Sequence, residues 1–280
     1  MDHYCVLGNP VAHSKSPAIH ARFSELTGQA MVYSRQLAPL DGFAATLRAW
    51  IAGGGRGCNV TVPFKFEAFN LAGTASERAK LAQAANTLKF SGDRQLEADN
   101  TDGVGLVNDI QVNAGVSLAG RDILLLGAGG AAAGVLGPLL AARPRRLVVA
   151  NRTHGKAVEL VARHAAHPSL QQLLQKTELL AQAPQGLEGD FDVIINATAS
   201  SLGGGEVPVD ARVLKPGALA YDMMYGAAAQ GFASWARSHG AVPRDGLGML
   251  VEQAAESFLF WRGVRPPSTQ VLQEMRKALA

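Results

Sequence analysis

Cysteine is nearly absent from this chain. Its 280 residues include only Cys5 and Cys58, too few for a disulfide framework or a cysteine-rich zinc site, and the count fits a reducing, cytoplasmic compartment. An excess of one charge is also lacking: 26 Lys+Arg stand against 23 Asp+Glu, a formal net charge of +3. No basic block is present, so nucleic acid is set aside as a partner. The 7 histidines show no metal-ligand spacing, and no metal is expected. Residues 1–5 lack the basic segment and apolar run of a signal peptide. Charged residues are 18% and hydrophobic ones 48%, which excludes wholesale disorder and permits a large core. At about 100–200 residues per domain, the length points to about two domains.

One long uncharged run is present. Residues 123–142 span 20 positions without a charge, long enough to cross a bilayer. The run is broken, however, by Gly127, Gly129, Gly130, Gly134, Gly137 and Pro138. It reads better as a buried strand, a tight glycine turn and a helix that Pro138 kinks or stops early, so no membrane partner is expected.

The rest of the chain alternates in the same way. Residues 4–8 and 58–62 read as strands, ending at Asn9-Pro10 and at Pro63. Between them, Ser16-Pro17 opens a helix with proline in its first turn, Ile19, Phe23 and Leu26 recur at helical spacing, and Gly28 closes it. Phe43, Leu47, Trp50 and Ile51 mark another helix, stopped at Gly53-Gly54-Gly55. Further strands are expected at 123–126, 147–150, 193–196 and 218–221, with a loop at 181–190. A last helix is expected at about 248–261, with Leu250, Val251, Ala254, Phe258 and Trp261 on one stripe. Glu252 and Glu256 fall off that stripe and Gln253 at its border. The alternation predicts α/β architecture with parallel strands.

Gly127-Ala128-Gly129-Gly130-Ala131-Ala132 sits where a strand turns into a helix. Gly127 permits the turn, Gly129 lets backbone approach a pyrophosphate, and Ala132 allows close helix–strand packing. The helix N-terminus adds free N–H groups and positive potential. A dinucleotide is the expected ligand, against the alternative of an ordinary tight turn. The next strand runs into Asn151-Arg152-Thr153-His154-Gly155-Lys156. The acid that would bind a ribose 2′-hydroxyl is missing. Arg152 and Lys156, with Asn151 and Thr153, suit the extra phosphate of NADP instead.

An ordered set of motifs completes the picture. It comprises Gly8-Asn9-Pro10-Val11, Ser14-Lys15-Ser16-Pro17, Asn59-Val60-Thr61-Val62-Pro63-Phe64-Lys65, Asn86-Thr87 and Asn100-Thr101-Asp102-Gly103. The glycine turn, Asn151-Arg152-Thr153, Tyr221-Asp222-Met223-Met224-Tyr225 and Asp245-Gly246-Leu247-Gly248-Met249-Leu250 follow. Over essentially its whole length the chain resembles the shikimate dehydrogenase family, NADP-dependent enzymes of aromatic amino-acid biosynthesis.

The resemblance implies two α/β domains with a cleft between them. A discontinuous substrate domain takes residues 1–103 and 247–280, and a Rossmann-like NADP domain takes 104–246. It implies reversible reduction of 3-dehydroshikimate to shikimate, by a monomer or homodimer. It makes Lys65 the general acid/base and pairs Asp102 with it, both touching the reacting substrate hydroxyl. It assigns Ser14 and Ser16 to the substrate carboxylate, Thr61 and Asn86 to ring hydroxyls, and Tyr225, Gln253 and Asn59 to further substrate contacts. Glu77, Thr198, Met223 and Gly246 would approach the cofactor, with Gly127, Ala128, Gly129, Gly130 and Ala131 at its phosphates. Asn151, Arg152, Thr153 and Lys156 would hold its 2′-phosphate.

Local rules offer other roles. Lys65 sits near the third position of a helix opened by Pro63, where a cation opposes the helix dipole, and could be an ordinary surface lysine. Asp102 and Ser16 could be helix N-caps, and Ser14 has no such local role. Ser76-Glu77-Arg78 reads as a capped, solvated helix start. The family commonly has serine after Asn196-Ala197-Thr198, where this chain has Ala199 before Ser200. The rival readings are a shikimate/quinate dehydrogenase and a non-catalytic protein that binds NADP or shikimate.

Overall fold

Two sheets, each flanked by helices, organise the chain; the computed structural model describes residues 1–90, 95–198, 207 and 209–279. The elements of the first part are β1 (Asp2–Gly8), α1 (Ser16–Thr27), β2 (Met31–Leu37), α2 (Phe43–Ala52), β3 (Gly55–Val60), α3 (Lys65–Leu71), β4 (Thr74–Ala75), α4 (Glu77–Ala82), β5 (Thr87–Phe90), β6 (Leu96–Asp99) and α5 (Asp102–Asn108). Then come β7 (Asp122–Leu126), α6 (Gly130–Ala141), β8 (Arg146–Ala150), α7 (His154–Ala166), α8 (Gln171–Leu174), β9 (Glu178–Gln182), β10 (Phe191–Asn196), β11 (Leu214–Asp222), α9 (Gln230–Ser238), β12 (Val242–Arg244), α10 (Leu247–Arg262) and α11 (Ser268–Leu279). Met1–Gly105 with Leu250–Ala280 forms one compact unit, and Leu106–Met249 forms the other. Among the described residues no helix is long and apolar enough to cross a membrane.

The second unit holds a sheet in the order β12-β11-β10-β7-β8-β9. All its pairings are parallel. The order reverses between β7 and β10, which makes the carboxyl ends of those strands a topological switch point where such sheets bind ligands. All five residues of β7 are buried, as expected of a central parallel strand covered on both faces. Pro138 does not stop α6, which runs on to Ala141. Proline in a helix costs about 3 kcal/mol. Leu139 and Leu140 are both fully buried beyond it, and each such side chain contributes roughly 1.5–3 kcal/mol, so packing outweighs the break.

The first unit's sheet is mixed, in the order β2-β1-β3-β5-β6-β4. β1 lies parallel to β2 and β3, but β5 runs antiparallel to both β3 and β6. The expectation of parallel strands fails between β5 and β6 because too few residues separate them for a parallel crossover, which needs about a dozen. The third strand is Gly55–Val60 rather than 58–62, since residues 61–64 already turn toward α3. Residues 181 and 182 belong to β9, not to a loop, because that strand closes the sheet edge against β8. The helix expected to be last is followed by α11, tied back to α1 through Arg22 and Glu274 at 2.8 Å. Glu252, expected off the apolar stripe, is buried, with Arg265 3.5 Å away. Helix α10 is covered on several sides, so its burial exceeds a single stripe.

In α1, Ile19 and Phe23 are fully buried and Gly28 closes the helix at φ +66°. His20 is fully buried beside them, stacked on Tyr33 at 4.2 Å, and neither ring nitrogen has a hydrogen-bond partner. Burial pushes its pKa down to about 3; Asn59 opposes the shift but does not reach hydrogen-bond geometry. The folded protein therefore holds His20 neutral, while the unfolded chain takes up a proton near pH 6.5. Stability from this site is present above the unfolded value and is lost as pH falls toward about 3, by up to about 1.4 kcal/mol per pH unit. His20→Phe should make the urea midpoint less sensitive to acidification between about pH 7 and about pH 5. His164, pushed down to about 4 by burial, leaves part of the slope in place. An identical pH slope in parent and variant would show that His20 carries none of it.

Candidate active site

Strand β3 ends at Val60, and the turn after it delivers Lys65 as the first residue of α3, two positions earlier in the helix than its local pattern suggests. The Lys65 Nζ donates to Oδ2 of Asp102 at 2.6 Å, and the two side chains are 15% and 8% exposed. The other carboxylate oxygen of Asp102 accepts from Asn86 Nδ2 at 2.9 Å. Among the described residues, neither oxygen bonds a backbone N–H of α5; instead Asn100 Oδ1 accepts from the Asp102 N–H itself at 3.2 Å, a local turn just before the helix. Asp102 is thereby free of local duty and bound to a lysine, which sets a proton donor beside a carboxylate with little water between them.

The polar residues around this pair interlock. The Asn86 amide also donates to Thr101 Oγ1 at 2.9 Å and to Gln253 Oε1 at 3.2 Å, and its oxygen accepts from the Thr101 N–H at 2.8 Å. Gln253 on α10 is buried and donates to the Leu250 carbonyl at 2.8 Å. Asn59 is buried and its amide is committed: Nδ2 to Asn86 O, Thr87 Oγ1 and Ser257 Oγ, and Oδ1 to the Tyr33 hydroxyl at 2.7 Å. These bonds make Asn59 a brace beneath Asn86. Thr61 is half-buried, and its backbone N–H donates to Leu7 O at 2.9 Å.

Ser16 is not a cap. Lys15 occupies that position without a side-chain bond. Ser14 has the local role that its sequence context hides: its Oγ accepts from the Ser16 N–H at 3.3 Å, and its carbonyl accepts from Arg35 Nε at 3.0 Å. Glu77 stands exposed on α4 in the first unit, 2.8 Å from Lys80, with Ser76 capping the helix.

The second unit carries the glycine turn at the end of β7. Gly127 has φ +112°, and a Cβ there would lie 3.0 Å from the Ala197 carbonyl, so only glycine fits. Gly129, at the N-cap of α6, faces open space: a Cβ would meet nothing within 4 Å. Ala132 is fully buried, and Ala128, Gly130 and Ala131 are half-buried. A 12-residue helix therefore presents its N-terminus and an unobstructed backbone at the switch point, which is what a pyrophosphate requires. Beyond β8, Asn151 Nδ2 donates to Thr153 O at 2.9 Å. Arg152, Thr153 and Lys156 are exposed, and among the described residues neither cation forms an ion pair. Thr198 bonds Asn196 Oδ1 at 2.7 Å; Ala199 lies outside the described residues. The Gly246 N–H donates to Met224 O at 2.8 Å, and a Cβ at Gly246 would lie 2.3 Å from the Met223 carbonyl oxygen. Tyr225 belongs to this unit and is half-buried.

Comparison with known proteins matches three family descriptions along the chain. Shikimate dehydrogenase substrate binding domain covers residues 6–88, Shikimate / quinate 5-dehydrogenase covers 110–203, and Shikimate 5'-dehydrogenase C-terminal domain covers 246–279. A shikimate dehydrogenase (NADP(+)) from Acidovorax sp. (strain JS42) is 67% identical over 279 residues, spanning 100% of this chain and 97% of that one. The chain belongs to the shikimate dehydrogenase family. An Ael1 enzyme from Pseudomonas putida has a similar structure, with TM-score 0.86, 43% identity and 98% of each chain covered. So does shikimate 5-dehydrogenase from Thermus thermophilus in complex with NADP(H) and shikimate, with TM-score 0.82, 27% identity and 100% of each chain covered.

Several residues that shape this dehydrogenase's site escape inspection of its sequence. Tyr33 and Ser257 belong to no motif, and Thr87 enters one only beside Asn86 with no role assigned, yet all three bond to Asn59. Ser257 had a signal: it lies four residues after Gln253 on α10, hence on the same face. Asp99 had one too, as the residue before Asn100. Its carboxylate binds Arg78 at 2.5 Å and the Asn100 N–H at 2.7 Å, which anchors the approach to Asp102.

Proposed function

We propose that this chain interconverts 3-dehydroshikimate and shikimate with NADP, and that Lys65 and Asp102 move the proton. The observation that carries this reading is the 2.6 Å Lys65–Asp102 contact in a chain of this family. Bound NADPH supplies a hydride to the ketone carbon. As that bond forms, negative charge gathers on the ketone oxygen, and Lys65 Nζ donates the proton that makes it a hydroxyl. Asp102 orients Lys65 and holds the same oxygen, while Asn86 fixes the carboxylate from its other side. In the reverse direction Lys65 takes the proton back. Ser14 and Ser16 hold the substrate carboxylate, Thr61 and Asn86 its ring hydroxyls, and Tyr225 and Gln253 complete the substrate contacts. Asn59 acts at one remove, through Asn86.

Residues 127–131 would hold the cofactor's phosphates, and Asn151, Arg152, Thr153 and Lys156 its 2′-phosphate. Thr198, Met223 and Gly246 would border the nicotinamide. Glu77 would approach the cofactor, as the family resemblance implies; its ion pair with Lys80 is exposed and too weak to hold the carboxylate back. Keeping water from the reacting atoms strengthens each of these polar contacts during the transfer. Cys5 and Cys58, both buried free thiols, fit a reducing cytoplasm, where aromatic amino-acid biosynthesis uses the product.

The test is one absorbance assay at the nicotinamide band, with shikimate and quinate, each with NADP and NAD. Shikimate with NADP should give the highest kcat/KM. Absence of turnover with that pair in folded protein would defeat the reading, and equal rates with quinate would favour a dual-substrate enzyme.

A further inference from the structure

Helix α5 and the start of α10 carry the chain between its two units. On the second unit's side, both are tied to one buried carboxylate. Asp109 opens a π-helical turn, Asp109–Asn113, that continues α5, and it is fully buried. Such turns are frequent at functional sites. Its Oδ2 accepts from the Tyr221 hydroxyl at 2.7 Å and from Arg244 Nε at 2.8 Å. Its Oδ1 accepts from Arg244 Nη2 at 2.6 Å and Asn113 Nδ2 at 3.1 Å. These bonds fill the about four acceptor sites of a carboxylate. Burial and the Asp109 charge keep the Tyr221 hydroxyl protonated far above the usual tyrosine range, so it is a fixed donor. Gly248, in the first turn of α10, packs against the same group: a Cβ there would come 1.8 Å from Oδ1.

The partners of Asp109 lead to one place. Tyr221 lies two residues before Met223, near the end of β11. Arg244 ends β12, two residues before Gly246. The backbone of Gly246 packs so closely on the Met223 carbonyl that no Cβ would fit, and its N–H bonds the next carbonyl, Met224 O. Asp109 thus grips both segments that make this contact, one by a single hydroxyl and the other by a two-pronged guanidinium, whose planar fork fixes direction as well as distance.

We propose that Asp109 is a positioning residue for hydride transfer: through Tyr221 and Arg244 it sets Met223 and Gly246, and with them the seat of the nicotinamide ring. The inference rests on the reading that Met223 and Gly246 border that ring in an NADP-dependent dehydrogenase. Asp109 itself touches neither substrate nor cofactor. Its loss should therefore disturb the reacting end of the cofactor and spare the adenosine end, which Arg152 and the glycine turn hold.

The experiment compares Asp109→Asn, Tyr221→Phe and Gly248→Ala with the parent. It measures kcat for shikimate oxidation, its primary deuterium isotope effect with substrate labelled at the reacting carbon, and the Kd of adenosine 2′,5′-bisphosphate. That probe carries the 2′-phosphate and no nicotinamide. All three variants should lower kcat by about tenfold or more, because small misplacements of reacting groups are costly. They should raise the isotope effect, as hydride transfer replaces later steps as the slow one. They should leave the bisphosphate Kd within about twofold. Gly248→Ala is the most telling, since it keeps every charge and only displaces the carboxylate. Should Asp109→Asn fail to fold, Tyr221→Phe, which keeps the ion pair, decides. An active parent whose folded variants keep kcat and isotope effect overturns the inference alone. So does a bisphosphate affinity that falls in step with kcat, which marks a merely structural role. A parent that binds the bisphosphate but turns over no shikimate overturns the functional reading, and the inference with it.

Discussion

Lys65→Met is expected to lower kcat by roughly 10²–10⁴-fold, the usual contribution of a general acid–base group, while KM for shikimate stays within about tenfold. Methionine keeps most of the apolar stem, ending about one atom short of the ammonium, and has no proton to give. The ketone oxygen would then gather charge with no donor beside it, a loss felt in the transition state rather than in binding, and such a loss appears in kcat. The substitution also strips Asp102 of its partner. Removing one member of a buried ion pair costs about 3–5 kcal/mol, but the Lys65 side chain is 15% exposed and Asp102 keeps its bond to Asn86, so the cost should fall below that range. The melting temperature separates this effect from the chemical one. A folded variant with near-normal kcat would remove Lys65 from the reaction.

Arg152→Ala should weaken kcat/KM for NADP by about 10- to 150-fold and leave NAD nearly unchanged. The factor corresponds to a charge-assisted contact of roughly 1.5–3 kcal/mol. A missing charge and a present one act together here. No carboxylate follows Ala150 to repel a 2′-phosphate, and Arg152 stands exposed with no ion-pair partner among the described residues. Lys156→Ala should do less, because lysine is a screened point charge without arginine's fork. Raising salt should narrow the NADP/NAD ratio of the parent. Equal kcat/KM for the two cofactors in the parent at low salt would defeat this assignment of residues 151–156.

Some of this was legible from residue order alone, and for a definite reason. A glycine turn between an apolar run and a helix is a local device: the backbone angle at Gly127, the open face of Gly129 and the packing of Ala132 all depend on near neighbours. So do the cap at Ser76 and the stop at Gly28. The motifs holding Lys65 and Asp102 were equally plain, and so was their resemblance to one family. Which parts of those residues would be free was not. Local rules made Asp102 and Ser16 caps and left Ser14 idle, whereas Asn100 and Ser14 accept from the N–H groups of Asp102 and Ser16 themselves. The choice depends on which side chain reaches an N–H first, and that is set by packing.

The sequence by itself determined what is short-range: the α/β alternation, the nucleotide-binding turn, the missing acid after β8 and the family. Only the tertiary structure decided what is long-range. It set β5 antiparallel to the distant β3, carried α6 past Pro138, and buried Glu252. It committed Asn59 to Tyr33, Thr87 and Ser257, and gathered Tyr221, Arg244 and Gly248 around Asp109. The bonds to Asp109 from Tyr221 and Arg244 join residues 112 and 135 positions apart. No periodicity or spacing encodes such a meeting. It exists because burying a carboxylate without partners is prohibitively unfavourable, so the fold that buries Asp109 must bring its donors with it.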